Sequence, residues 1–279
     1  MSEPNCVDMS RWGGELTAGE AACMKAAGIG TVIVASGPGN YGLFARQQAE
    51  AALAAGLRLE AYTFLEFESD PEWWVRQALA RLDGLPIARW WLDVEDTDHG
   101  TSWTPAQRIA CVQRALDAFT AAGTFAHVYS GGWYWRPYMA DTDVFARQGR
   151  KLWNAWYDSD PDVDGLPYGG WTAADVAIEQ FAGTSIVCGQ SVDKNWLYFT
   201  EEGEDMDLRA RVERLERLIG GNGVDNEEGK RLVGEEALAW MDGRGFSLYL
   251  GLANTQKAMA GLGPAGKHEH VANVEVRLS

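Results

Sequence analysis

Up to about residue 200 the chain alternates two kinds of segment. Short β-branched or aromatic runs occur at 6–10, 31–36, 57–64, 87–95, 125–130, 151–157 and 176–182. Longer, alanine-rich stretches with helical spacing of apolar positions fall between the first six of them, at 17–28, 41–56, 71–83, 104–122 and 132–140. Thr104-Pro105 has the form of an N-cap followed by proline at the first helical position, and Gly28, Gly56 and Gly123 stand where helices should stop. Alternating β and α elements of these lengths predict a parallel sheet, open or closed. Towards residue 200 the chain becomes irregular and glycine-rich, which predicts that the last strands lack full connecting helices.

An acidic stretch, TEEGEDMD (200–207), marks a boundary between segments 1–204 and 205–279. Beyond it Leu208, Val212, Leu215 and Ile219 form a heptad seam of only about two heptads, shorter than a coiled coil needs. A second helical segment (227–241), the apolar run FSLYLGLA and an alternating end (Val274, Val276, Leu278) follow. The expectation for 205–279 is a small, mainly helical module that targets the protein, joins copies of it, or docks it on a larger particle.

Charge narrows the partners. The formal net charge is −16, most of it before residue 204, so phosphate backbones are repelled and nucleic acid is not an expected partner. No stretch is long and apolar enough to insert in a membrane, and the N-terminus lacks the basic and apolar regions of a signal peptide. This predicts synthesis in the cytoplasm and later release. Cys6, Cys23, Cys111 and Cys188 are widely spaced with no CxxC pair, which predicts reduced, buried thiols. His268 and His270 flank Glu269 as same-face residues of a strand, and neither metal nor cofactor is expected. Tryptophan is abundant, with 13 residues. Trp73, Trp74 and Trp90 read as helix–barrel packing, and others suit a cleft in which indole rings stack on sugar rings.

The candidate chemistry centres on WWLDVED (90–96). Side chains two apart on a strand share a face, so Trp91, Asp93 and Glu95 point one way while Leu92 and Val94 point into apolar packing. Two carboxyls at the C-terminal end of a barrel strand are costly to bury without a task. Glycosidic cleavage supplies one: a protonated carboxyl donates to the leaving oxygen and an ionised one stabilises developing positive charge. CVDMSRW places Asp8 at the end of the first strand, and GQSVDKNWLYF places Asp193 at the end of the last.

These motifs, in order, resemble the family 25 glycoside hydrolases, lysozymes of bacteria and their phages. The resemblance covers residues 5–199 and rests on VDMS, AGIGTVIV, AAGLRLEAYTF, LDVEDT, HVYSGGWYW, LWNAWY and SVDKN. It implies a flattened, TIM-like (β/α) barrel of the α/β class. It further implies action on bacterial peptidoglycan, at the β-1,4 bond between N-acetylmuramic acid and N-acetylglucosamine, without metal. It assigns Glu95 as general acid and Asp93 as its electrostatic partner, orienting the substrate's own N-acetyl group, with Asp8 and Asp193 as the other cleft acids. Tyr62, Tyr129 and Trp153 fall at the family's aromatic cleft positions, and Trp91, Trp133 and Tyr157 are further aromatics expected to bind substrate.

Three departures stand out. Thr63 replaces the family's histidine in AYTF, SGPG replaces T-E-G and so lacks an acid, and EQF replaces W-Q-Y with Glu179 for tryptophan. The SGPGNYG loop has no Lys-Ser/Thr pair and is no P-loop. Chitin-cleaving barrels carry a longer DxxDxDxE run that is absent here. The reading from a different class is a glycan-binding or particle structural protein that kept the cleft without turnover. The expected role is wall lysis by a phage endolysin or a virion-associated lysozyme.

Overall fold

The computed structural model describes residues 3–98, 100 and 102–198. The expected module at 205–279, with its heptad seam and the His268/His270 pair, lies outside these residues.

Eight strands close a barrel in sequence order: β1 (Cys6–Met9), β2 (Thr31–Ala35), β3 (Arg58–Phe64), β4 (Trp90–Asp93), β5 (Ala126–Ser130), β6 (Leu152–Ala155), β7 (Val176–Val187) and β8 (Gln190–Leu197). The first seven run parallel, and β8 returns antiparallel to both β7 and β1. The reversal is local in origin. Cys188 and Gly189, with φ of 53° and 87°, form a two-residue turn between the paired Val187 and Gln190. Two left-handed residues give the tight hairpin turn whose twist suits antiparallel strands, and a link this short cannot join parallel ones. Asp193 therefore lies within β8, instead of ending the last parallel strand.

Helices α1 (Ala18–Ala26), α2 (Ala45–Ala54), α3 (Pro71–Arg81) and α4 (Pro105–Ala121) link the first five strands, and the short α5 (Gly132–Tyr138) and α6 (Val144–Arg147) link β5 to β6. Thr17 and Thr104 each close a capping box, with Pro105 in the first turn of α4. Gly28, Gly56 and Gly123 follow their helices at positive φ. As the glycine-rich stretch predicts, no α-helix links β6 to β7, only a 3₁₀ turn at Ala173–Asp175.

Strand alternation divides the core. Val7, Val32, Val34, Leu59, Leu92, Val94 and Val128 face the helices, whereas Cys6, Ile33, Trp91, Tyr129, Trp153, Ile178 and Leu197 fill the barrel. Trp74 and Trp90 are buried as expected, but Trp73 is 43% exposed. Adjacent residues on a helix point about 100° apart, so only one of the pair on α3 can face the barrel.

The thiol expectation needs correction. Cys6 and Cys111 are free and buried, but Cys23 on α1 is disulfide-bonded to Cys188 in the β7–β8 turn. The two lie 165 residues apart, so no local spacing announces the bond; closure of the barrel at the β8–β1 seam brings them together.

Candidate active site

Both halves of the DxE motif reach the C-terminal mouth of the barrel. Asp93 is the last residue of β4, and Glu95 lies just beyond the strand, which is shorter than the 87–95 expected. The ladder extends past its formal end, because Val94 N–H donates to Tyr129 O at 3.0 Å, and this carries the strand's alternation on to Glu95. Trp91 and Asp93 point inward while Leu92 and Val94 join the helix-side core, as the alternation predicts.

Asp8 and Asp193 arrive from the first and last strands of the barrel and face each other directly in the β1–β8 register. Two amides bind them into one cluster. Gln180 Nε2 donates to Asp8 at 2.8 Å and to Asp193 at 3.4 Å, and Asn195 Nδ2 donates to the same Asp8 oxygen at 2.7 Å. The backbone N–H of Thr184 donates to the other Asp193 oxygen at 2.6 Å. Gln180 Oε1 accepts from Tyr129 at 2.7 Å and Tyr157 at 2.6 Å. Gln180 and Asn195 are part of this cluster, and acid-seeking logic passes over them. Their signal was present: Asn195 stands two residues after Asp193 on β8, so the two share a face just as Asp93 and Glu95 do.

Burial raises the pKa of all four acids, and neighbouring carboxyls add to it at Asp8, Asp93 and Glu95. Burial, then Asp193, pushes Asp8 up to about 8 against the pull of Asn195 and Gln180. Burial pushes Glu95 up to about 7, opposed by the nearby Tyr129 hydroxyl. Asp93 is raised by burial and then by Glu95, Asp8 and Asp96, and its Oδ1 has no hydrogen-bond partner among the described residues. Asp193 is raised by burial, with Thr184 opposing. Carboxyls this close titrate as a set, and the set retains protons near neutrality.

The aromatics divide by depth. Tyr62 is half-buried and packs edge-on to Trp153, with ring centroids 5.8 Å apart. Tyr129 is buried with its hydroxyl in the amide network, and Tyr157 and Trp133 are exposed at the mouth. Trp91 and Trp153, expected to face substrate, are fully buried. Both are sealed in the barrel, where Trp91 Nε1 donates to Glu60 and Trp153 Nε1 to Asn195, each at 2.8 Å. Sharing a strand face with Asp93 put Trp91 inside the barrel but one layer lower. Glu179 also lies apart from the cluster. It pairs in register with Asn154, which donates to both its oxygens at 2.9 Å, and burial raises its pKa. Among the described residues no group of three or more His, Cys, Asp or Glu is arranged to hold a metal ion.

Comparison with known proteins agrees with this geometry. The pattern of glycosyl hydrolases family 25 matches residues 7–189. The chain is 30% identical over 203 residues to probable GH family 25 lysozyme 3 of Dictyostelium discoideum, covering 70% of this chain and 41% of that relative. It thus spans about two fifths of the relative's length. In fold it is similar to a muramidase from Acremonium alcalophilum, with a TM-score of 0.58 and 20% identity over 72% of this chain and 95% of that one. It is similar also to the CTP1L endolysin, with a TM-score of 0.55 and 20% identity over 77% and 79% of the two chains. With more than half its length matched by the family pattern and the matched segment containing Asp8, Asp93 and Glu95, the chain belongs to glycosyl hydrolase family 25.

Proposed function

We propose that the protein is an N-acetylmuramidase, hydrolysing the β-1,4 bond between N-acetylmuramic acid and N-acetylglucosamine in bacterial peptidoglycan. One observation carries the reading: a carboxyl held near neutrality, Glu95, stands beside a buried carboxyl, Asp93, one oxygen of which has no partner among the described residues. Glu95 donates its proton to the leaving glycosidic oxygen. Asp93 Oδ1 accepts the N–H of the substrate's 2-acetamido group, directing the acetamido oxygen onto the anomeric carbon as that bond breaks. The Glu95 carboxylate then takes a proton from the water that opens the cyclic intermediate. In the free site the nearby Tyr129 hydroxyl favours the ionised form of Glu95, and among the described residues nothing donates to Asp93 Oδ1. The substrate N–H supplies that donor, stabilises the Asp93 carboxylate and leaves the shared proton on Glu95, where it is used. Asp8 and Asp193, clamped by Gln180 and Asn195, position substrate and hold the field of the site. Tyr62, Tyr129, Trp133 and Tyr157 line the sugar path.

The Cys23–Cys188 bond supports action outside a reducing compartment, as wall lysis requires. The likeness to an endolysin favours a lytic role of phage type, and residues 205–279 would then serve targeting or assembly. A glycan binder without turnover would not need four carboxyls gathered in one cluster. The test is end-group analysis of digested cell walls. New reducing ends should be muramic acid, and kcat/KM should fall as pH rises above about 7, where Glu95 loses its proton. New glucosamine ends would overturn the assignment.

A further inference from the structure

The rim of the cleft beside β1 and β2 holds a cation in acidic surroundings. Arg11 follows Asp8 by three residues, where β1 gives way to the loop leading to α1. Its guanidinium carbon lies 4.4 Å from the ring centroid of Trp12, which is 79% exposed, and 5.6 Å from that of Tyr41. Tyr41 stacks on Phe64 at 5.6 Å with ring planes 4° apart, and Phe64 pairs in register with Asp93. A continuous path of contacts thus leads from the catalytic strand to Arg11. Burial and Glu66 raise the Tyr41 pKa, Arg11 lowers it, and Asp96 and Asp93 raise it, as expected of groups sharing one rim.

Two glycines set this geometry. A Cβ at Gly37 would lie 3.1 Å from Tyr41 Cβ, so its absence lets the tyrosine settle towards the cleft. A Cβ at Gly13 would lie 2.8 Å from Ser191 O, so the Arg11–Trp12 loop packs close against β8, the strand of Asp193. Among the described residues Arg11 joins no ion pair, although Asp8, Asp93, Glu95, Asp96 and Asp193 all lie around the same mouth. A guanidinium held against aromatic rings keeps its N–H edge for a planar, two-pronged acceptor and loses little freedom on binding one.

We infer that Arg11, backed by Trp12 and Tyr41, is a specificity-determining residue that binds a carboxylate carried by the glycan. The carboxylate belongs to the lactyl ether of a muramic residue or to the peptide attached there. The inference rests on the muramidase reading. An acidic cleft repels such a group, and this cation is placed to offset the repulsion on one side of the scissile bond.

The experiment compares the full chain with R11Q and R11K on three glycans: peptide-free strands with free lactyl carboxylates, the same strands with those groups converted to neutral amides, and strands with peptides intact. Wild type should show a KM about tenfold lower on a carboxylate-bearing strand than on the neutralised one. R11Q should lose that preference, R11K should keep part of it, and kcat should stay within about twofold. Preference for the peptide-free charged strands identifies the lactyl group, and preference confined to peptide-bearing strands identifies the peptide. Equal preference in wild type and R11Q overturns the inference. Should R11Q fail to fold, the same preference in wild type must still shrink as salt is raised, and a salt-independent preference rejects it. Should wild type cut none of the strands, the muramidase reading fails separately, and equilibrium binding of charged against neutralised strands to wild type and R11Q decides the role of Arg11.

Discussion

Glu60 and Asp93 both lie inside the barrel, on the adjacent strands β3 and β4, and both are shut away from solvent. Their surroundings differ in kind. Glu60 sits towards the N-terminal ends of the strands, 3.2 Å from Arg58 Nε and 4.0 Å from Arg89 Nε, and accepts the Trp91 indole N–H. Asp93 sits at the opposite end, among Glu95, Asp8 and Asp96, with one oxygen unpartnered among the described residues. A buried carboxylate answered by cations belongs to the architecture. Uncompensated carboxyls pressed together cost stability, and the cost is met only where chemistry needs a proton held near neutrality.

The sharpest way to break this comparison is at the mouth. Glu95→Gln should lower turnover on cell walls by at least about a hundredfold while retaining glycan binding, and Asp93→Asn should fold and be nearly inactive. Wild-type rates of turbidity loss in either variant would mean that the uncompensated cluster is not the catalytic one.

At the other end the effect should fall on stability. Glu60→Gln leaves Arg58 and Arg89 without their shared carboxylate and should cost about 3 kcal/mol in urea unfolding. Activity per folded molecule should hardly change. A large loss of kcat at unchanged stability would erase the distinction between the two ends.

A smaller effect sharpens the contrast through pH. Asp8 is pushed from an ordinary 3.8 up to about 8, so the native chain keeps a proton that the unfolded chain gives up. Its contribution to stability is complete below about pH 4 and is lost as pH rises through the folded value. Asp8→Asn carries no such penalty. It should exceed wild type by at least about 1 kcal/mol at pH 8, with the gap closing towards pH 4, as followed by urea midpoints across that range. A gap that widens on acidification would show that Asp8 is ionised and stabilised in the native site.

What the sequence by itself determined is what short-range geometry encodes. Two-residue periodicity put Asp93 on the inner face and Leu92 and Val94 on the outer one, and Thr17, Thr104 and the glycines after them fixed where helices begin and end. These features depend on neighbours a few residues away, so a linear reading recovers them. Closure of the barrel decided the rest. It set Asp8 opposite Asp193, joined Cys23 to Cys188, sank Trp91 onto Glu60 and brought Arg11 beside Tyr41. Each of these meetings depends on strand register and on how far along the barrel axis an inward side chain lies. Alternation tells inside from outside, but it does not tell the sealed interior of the barrel from its open mouth.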